Sequence, residues 1–99
     1  MSFNSNIDIL KKVADLENLK CSLLSGTADF FKAATETRGS DQNGADALCA
    51  ILTTTYLLAA QLGVGFDELD ARAAARLRNN VLKNEAPEDV RRLLKYLTK

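Results

Sequence analysis

The chain has 99 residues, 46% apolar and 26% charged, which suits one small folded domain spanning residues 1–99. Its 13 Lys and Arg balance its 13 Asp and Glu, so it lacks the basic excess that nucleic acid or an anionic membrane would require, and one barrier to self-association is low. Histidine is absent, which excludes Ser-His-Asp and Cys-His catalysis and the usual zinc sites. Cys21 and Cys49 lie far apart in sequence and are expected to be buried thiols acting as small hydrophobes, with a disulfide or reactive thiol as the alternative.

The start, MSFNSNIDIL, has neither a basic n-region nor an apolar h-region, so no signal peptide is expected. Residues 1–5 are polar and expected to fray. Asn6 or Asp8 can cap a helix whose stripe runs through Ile9, Leu10, Val13, Leu16, Leu19, Leu23, Thr27, Phe30 and Ala34. Gly26 is its weak point, since glycine inside a helix costs about 1 kcal/mol against alanine. The reading is a long helix kinked near Ser25–Gly26 or two helices, with a break or bend between Lys11 and Glu17 or at Gly26 preferred. Thr37 to Gly44, TRGSDQNG, is a turn cluster, and Asp41 or Asn43 can cap the helix after it.

Ala45 to Leu62, ADALCAILTTTYLLAAQL, carries a single ionised side chain, Asp46. Both of its helical faces are apolar or nearly so, which predicts a helix buried on all sides, by covering helices or by a partner chain. It approaches the length of a membrane span, but three threonines and Gln61 weaken it and basic flanks are missing, so no membrane helix is expected. Those threonines line a polar pocket or bond back to their own helix. Phe30 and Phe31 are either a stacking platform for a base or packing residues.

Gly63 is a natural residue just past a helix end, because it takes the left-handed conformation without a Cβ clash. Phe66-Asp67-Glu68-Leu69-Asp70 opens the next helix, with Asp67 as N-cap and Phe66 packing on Ala71. Leu69, Ala73 and Leu77 form its apolar edge. Lys83 to Ala86 is a short loop. Pro87, Glu88 and Asp89 open a last helix with the stripe Val90, Leu93, Leu94 and Leu97. There is no strand pattern, so the fold class is all-α: a bundle of four helices, or five if the first one breaks.

Tyr56 to Asn80 carries a resemblance. YLLAAQLGVGFDEL resembles the "Y-L-L-A-x-x-L-G-I-x-x-E-E-L" pattern of the MazG-like families within the all-α nucleoside triphosphate pyrophosphohydrolase superfamily. A looser similarity covers roughly residues 8–80, and residues 81–99 lie outside it. The resemblance implies a cytoplasmic hydrolase that forms dimers or tetramers and cleaves a nucleoside triphosphate to monophosphate and pyrophosphate with Mg2+. In active members an E-E-x-x-E segment on one helix faces an E-x-x-D segment opening the next. Four of these five acids make a carboxylate cage that suits magnesium, a hard cation that takes oxygen ligands and bridges to phosphate.

Carried across, the second segment falls on Asn43-Gly44-Ala45-Asp46 and the first near Ser25-Gly26-Thr27-Ala28-Asp29. Asp29 and Asp46 are the two acids that remain, and they become the implied metal ligands. The bland alternative for Asp46 is a first-turn carboxylate facing the helix dipole, and for Asp29 a solvated position. Arg72, Arg76, Asn79 and Asn80 stand where the family contacts phosphate or base; otherwise the arginines pair with nearby acids. The implied function is a MazG-like domain with a reduced metal site, weakly active or binding nucleotide without catalysis. The alternative is a helical oligomerisation or regulatory module that binds a protein partner.

Overall fold

The computed structural model describes residues 3–35, 41–79 and 87–99. They form four helices: α1 (Phe3–Thr35), α2 (Asp41–Gln61), α3 (Phe66–Asn79) and α4 (Pro87–Leu97). There is no strand among the described residues, so the all-α expectation holds. No single helix among them is long and apolar enough to cross a membrane. The chain divides into two units, residues 1–62 and 63–99.

The first unit is a pair of helices. Gly26 of α1 faces Ala47 and Ile51 of α2, and further along α1 Ala33 shares a cleft with Asn43. Numbers rise on one helix as they fall on the other, so the pair is antiparallel. At about 1.5 Å per residue, the 33 residues of α1 span about 50 Å and the 21 of α2 about 31 Å, so the N-terminal third of α1 runs on past its partner.

The expected break in α1 does not occur: the helix is continuous from Phe3 to Thr35. Gly26 is a point of close contact with α2. A Cβ at this position would stand 3.2 Å from Ile51 Cγ1 and 3.8 Å from the Ala47 carbonyl oxygen. Gly26, Ala33, Ala47, Thr54 and Ala59 are all buried, and small side chains let two backbones approach closely. Leu16, Leu19, Leu23, Thr27 and Phe30, half-buried, flank them on α1. Neither Asn6 nor Asp8 caps the helix, because it begins before both of them. Of residues 1–5, expected to fray, 3–5 are helical and 1–2 lie outside the described residues.

The expected cover for the central helix does not come from the described residues of this unit. Leu48 is 51% exposed and Leu52 is 55% exposed. The ridge Ala47, Ile51, Thr54 and Leu58 faces inward, and nothing in the described part of this unit covers the Leu48–Leu52 edge. The helix starts at Asp41, one of the two residues expected to cap it, which puts Asn43, the other, inside it. The rest of the predicted loop, residues 37–40, lies outside the described residues. Both cysteines are exposed, against the expectation of buried thiols, because each sits on a helix face turned away from the α1–α2 contact.

Helix α2 ends as predicted. The Leu62 N–H donates to the carbonyls of Leu58 and Ala59, at 3.1 and 3.0 Å, and Gly63 follows with φ at +77°. In the second unit α3 packs against α4. The Gly65 carbonyl accepts from the Leu69 N–H at 2.9 Å, so Gly65 takes the capping position expected for Asp67. Asp67 lies in the first turn, where its Oδ1 accepts from the Glu68 N–H at 3.0 Å. The carboxylate satisfies a free donor and meets the positive end of the helix either way, so sequence pattern alone did not separate the two registers. Ala74 is buried and Leu69, Ala73 and Leu77 are half-buried beside it. Pro87 opens α4 as expected, and Val90, Leu94 and Leu97 form its inner stripe. The predicted loop from Lys83 to Ala86 lies outside the described residues.

Candidate functional site

The hairpin of α1 and α2 carries a cleft of about 360 Å³ near the end where the two helices are joined. Its lining comes from these two helices alone. On α1, Asp29, Lys32 and Ala33 fall at i, i+3 and i+4, one face of one turn. On α2, Asn43, Asp46, Ala47 and Ala50 fall at i, i+3, i+4 and i+7. Ala33 and Ala47 are buried and form the floor, while the four polar side chains stand exposed around it. An apolar floor with a polar rim is the usual form of a small-molecule site.

The two acids singled out in the sequence are therefore brought together. Asp46 Oδ1 accepts a hydrogen bond of 3.3 Å from Gln42 Nε2, one turn earlier on α2. Asn43 joins them, at the position where the family pattern has glutamate. Gly26, where the same pattern has its second acid, lies buried against Ile51, in the helix contact and away from the cleft. Ser25 is exposed and is not part of the lining. Sequence reasoning missed Lys32. Its signal was the position three residues past Asp29 on the same face, which the family pattern does not cover. Among the described residues Lys32 Nζ makes no ion pair.

No group of three or more His, Cys, Asp or Glu side chains among the described residues is arranged to hold a metal ion. The donor set is smaller: two carboxylates and the amide oxygen of Asn43. That set suits magnesium in one respect. Magnesium keeps several waters and is commonly bound by one or two carboxylates, with substrate phosphates completing the octahedron. By donor chemistry these residues suit a single such ion, and they do not make a four-carboxylate cage.

The residues expected to contact phosphate sit in the second unit. Arg72 Nη2 pairs with Glu68 Oε2 at 2.6 Å across one helical turn, with both side chains largely exposed. Such pairs are worth a few tenths of a kcal/mol. Asn79 Nδ2 donates to the Ala75 carbonyl at 3.2 Å, Arg76 is exposed in the last turn of α3, and Asn80 lies outside the described residues. Two of the three threonines of α2 follow the back-bonding alternative: Thr53 Oγ1 donates to the Cys49 carbonyl at 2.9 Å and Thr55 Oγ1 to the Ile51 carbonyl at 2.7 Å, while Thr54 is buried. Phe30 is half-buried and Phe31 exposed, with ring centroids 6.4 Å apart and no flat shared face for a base.

A profile of the MazG-like family matches residues 9–90, which include the cleft, α2, α3 and the start of α4. No curated protein and no solved structure matches the chain. The match extends over well more than half of the sequence, and the chain belongs to the MazG-like family.

Proposed function

We propose that the chain is a nucleotide pyrophosphohydrolase-type domain with a reduced metal site, one that binds a nucleoside triphosphate with Mg2+ and turns it over weakly or not at all. The observation that carries this reading is the meeting of Asp29, Asn43 and Asp46 around one cleft. Asp29 and Asp46 would hold the ion, and Asn43 would orient a water or a phosphate oxygen with its amide. Bound there, magnesium supplies positive charge to phosphate oxygens and to a leaving pyrophosphate. The buried alanines keep the floor dry, and the exposed rim leaves room for a triphosphate. Slow turnover follows from having half the carboxylates of an active member.

The experiment is calorimetric titration of Mg2+ with a non-hydrolysable triphosphate, on the wild type and on Asp46→Ala. Binding in the micromolar to low-millimolar range that the substitution removes supports the reading. The absence of heat in both refutes it.

A second reading, an oligomerisation module, has its own observation. Large apolar side chains lie uncovered on both helices of the first unit. Leu24 is 72% exposed and Phe31 is 64% exposed, on the side of α1 away from α2. Leu48 and Leu52 form a second uncovered edge. By the period of 3.6 residues they lie on the flank of α2 opposite Asp46 and Ala50. A homodimer or tetramer formed over these edges would leave the cleft open, so the two readings are compatible.

A further inference from the structure

We propose that Lys32 is a phosphate-binding residue of the cleft, a built-in cation that lets the site work with one magnesium ion. This inference rests on the nucleotide-binding reading above. Its basis is the charge carried by the lining. Asp29 and Asp46 contribute two negative charges, and one Mg2+ held between them cancels both. A neutral carboxylate–metal pair offers a polyphosphate little net attraction. Lys32 changes that balance, because its ammonium lines the same cleft one turn from Asp29 and gives the loaded site a net positive charge.

Three further facts suit the role. Among the described residues Lys32 has no carboxylate partner. Lysine is a compact point charge on a flexible stem, well suited to following a phosphate oxygen. Ala33 and Ala47 form the buried apolar floor, so the polar groups of the cleft are confined to its rim, where Lys32 stands.

The bland role for Lys32 is to complement the negative end of α1, since it lies in that helix's last turn. The two roles differ in what a substitution does to binding. Before nucleotide arrives, the ammonium repels the incoming metal ion. After magnesium is in place, it attracts the triphosphate. Lys32→Gln should therefore tighten Mg2+ binding in the absence of nucleotide and weaken triphosphate binding in the presence of Mg2+. The second effect should be roughly tenfold or more, the size expected when a charge-assisted bond is lost. Lys32→Arg should restore triphosphate affinity. A helix-end role moves stability and leaves both affinities alone.

The test is calorimetry on the intact chain with three proteins: wild type, Lys32→Gln and Lys32→Arg. Each is titrated with Mg2+ alone and then with a non-hydrolysable triphosphate at saturating Mg2+. Circular dichroism confirms that each variant is folded, which the exposure of Lys32 favours. Opposite shifts in Lys32→Gln, with rescue by arginine, are expected. Unchanged triphosphate affinity in Lys32→Gln, with binding still dependent on Mg2+, overturns the role of Lys32 and leaves the functional reading standing. A wild type that binds no triphosphate with Mg2+ overturns both.

Discussion

Adding one methyl group at Gly26 tests the contact on which the first unit is built. Replacing a helical glycine by alanine normally stabilises by about 0.5–1 kcal/mol, because the chain loses less entropy on folding. At Gly26 the new Cβ would lie 3.2 Å from Ile51 Cγ1, inside the 3.5–4.0 Å optimum for carbon pairs. Isoleucine is stiff about χ1, so it gives way only by moving α2 or leaving its rotamer. Overpacking of this kind costs about 1–3 kcal/mol. The two effects oppose each other, and Gly26→Ala should be neutral or destabilise by up to about 2 kcal/mol.

Gly44 provides the control. It also lies in a helix, but a Cβ there meets nothing within 4 Å, so Gly44→Ala should show the gain alone. The gap between the two variants should be about 1–3 kcal/mol. For a chain of this size each kcal/mol moves the melting point by about 4–8 °C. Thermal melts by far-UV circular dichroism read this directly. In an Ile51→Ala background, which carries its own truncation cost, Gly26→Ala should regain most of the lost gain, since the clash then has no second partner. If Gly26→Ala stabilises the chain as much as Gly44→Ala, the two helices are not in close contact at this point.

Gly63→Ala should destabilise by about 1 kcal/mol or slightly more, since φ of +77° is costly for any residue with a Cβ; an unchanged melt would refute the turn geometry. In light scattering, self-association over the uncovered edges should give a dimer or tetramer for the wild type and a smaller species for Leu24→Glu or Leu52→Glu; a monomeric wild type ends that reading. Lys20 should titrate above the ordinary lysine value of 10.5, because Glu17 Oε1 accepts its hydrogen bond at 2.9 Å and also attracts its charge. A raised lysine pKa means the pair contributes fully below the ordinary value, and the contribution is lost as the pH rises through the folded one. Lys20 is fully exposed, so nuclear magnetic resonance titration of its Nζ is the right measurement, and Glu17→Gln should bring the value down.

The all-α class was legible because nothing in the sequence alternates with period two, and the stops were legible where chemistry forces them. Gly63 and Pro87 each lie where their backbone requirements predict. The break near Gly26 was misjudged for a physical reason. Helix propensity is a local quantity, whereas the reason for a glycine at this position is the distance to Ile51, a residue of another helix. The same limit applies to the central helix. Its pattern announces apolar surface on every side but not whether this chain supplies enough to cover it.

At the site, Asp29 and Asp46 were found because their spacing matches a family pattern that demands acids. Lys32 was missed because that pattern has no lysine in it, and its role depends on the cleft wall it shares with the acids. Arg72 pairs with Glu68 one turn away, the alternative that the sequence offered beside a phosphate contact.

The back-bonded threonines of α2 bear on the temperature at which the surface should be studied. With Thr53 and Thr55 donating to their own helix, and no charged side chain from Ala47 to Gln61, this stretch interacts much as a hydrocarbon surface would. Whatever packs on it releases water without breaking ion pairs. Such an association carries a negative heat-capacity change, weakens on cooling, and responds little to added salt. A preparation handled on ice would therefore be the one most apt to come apart.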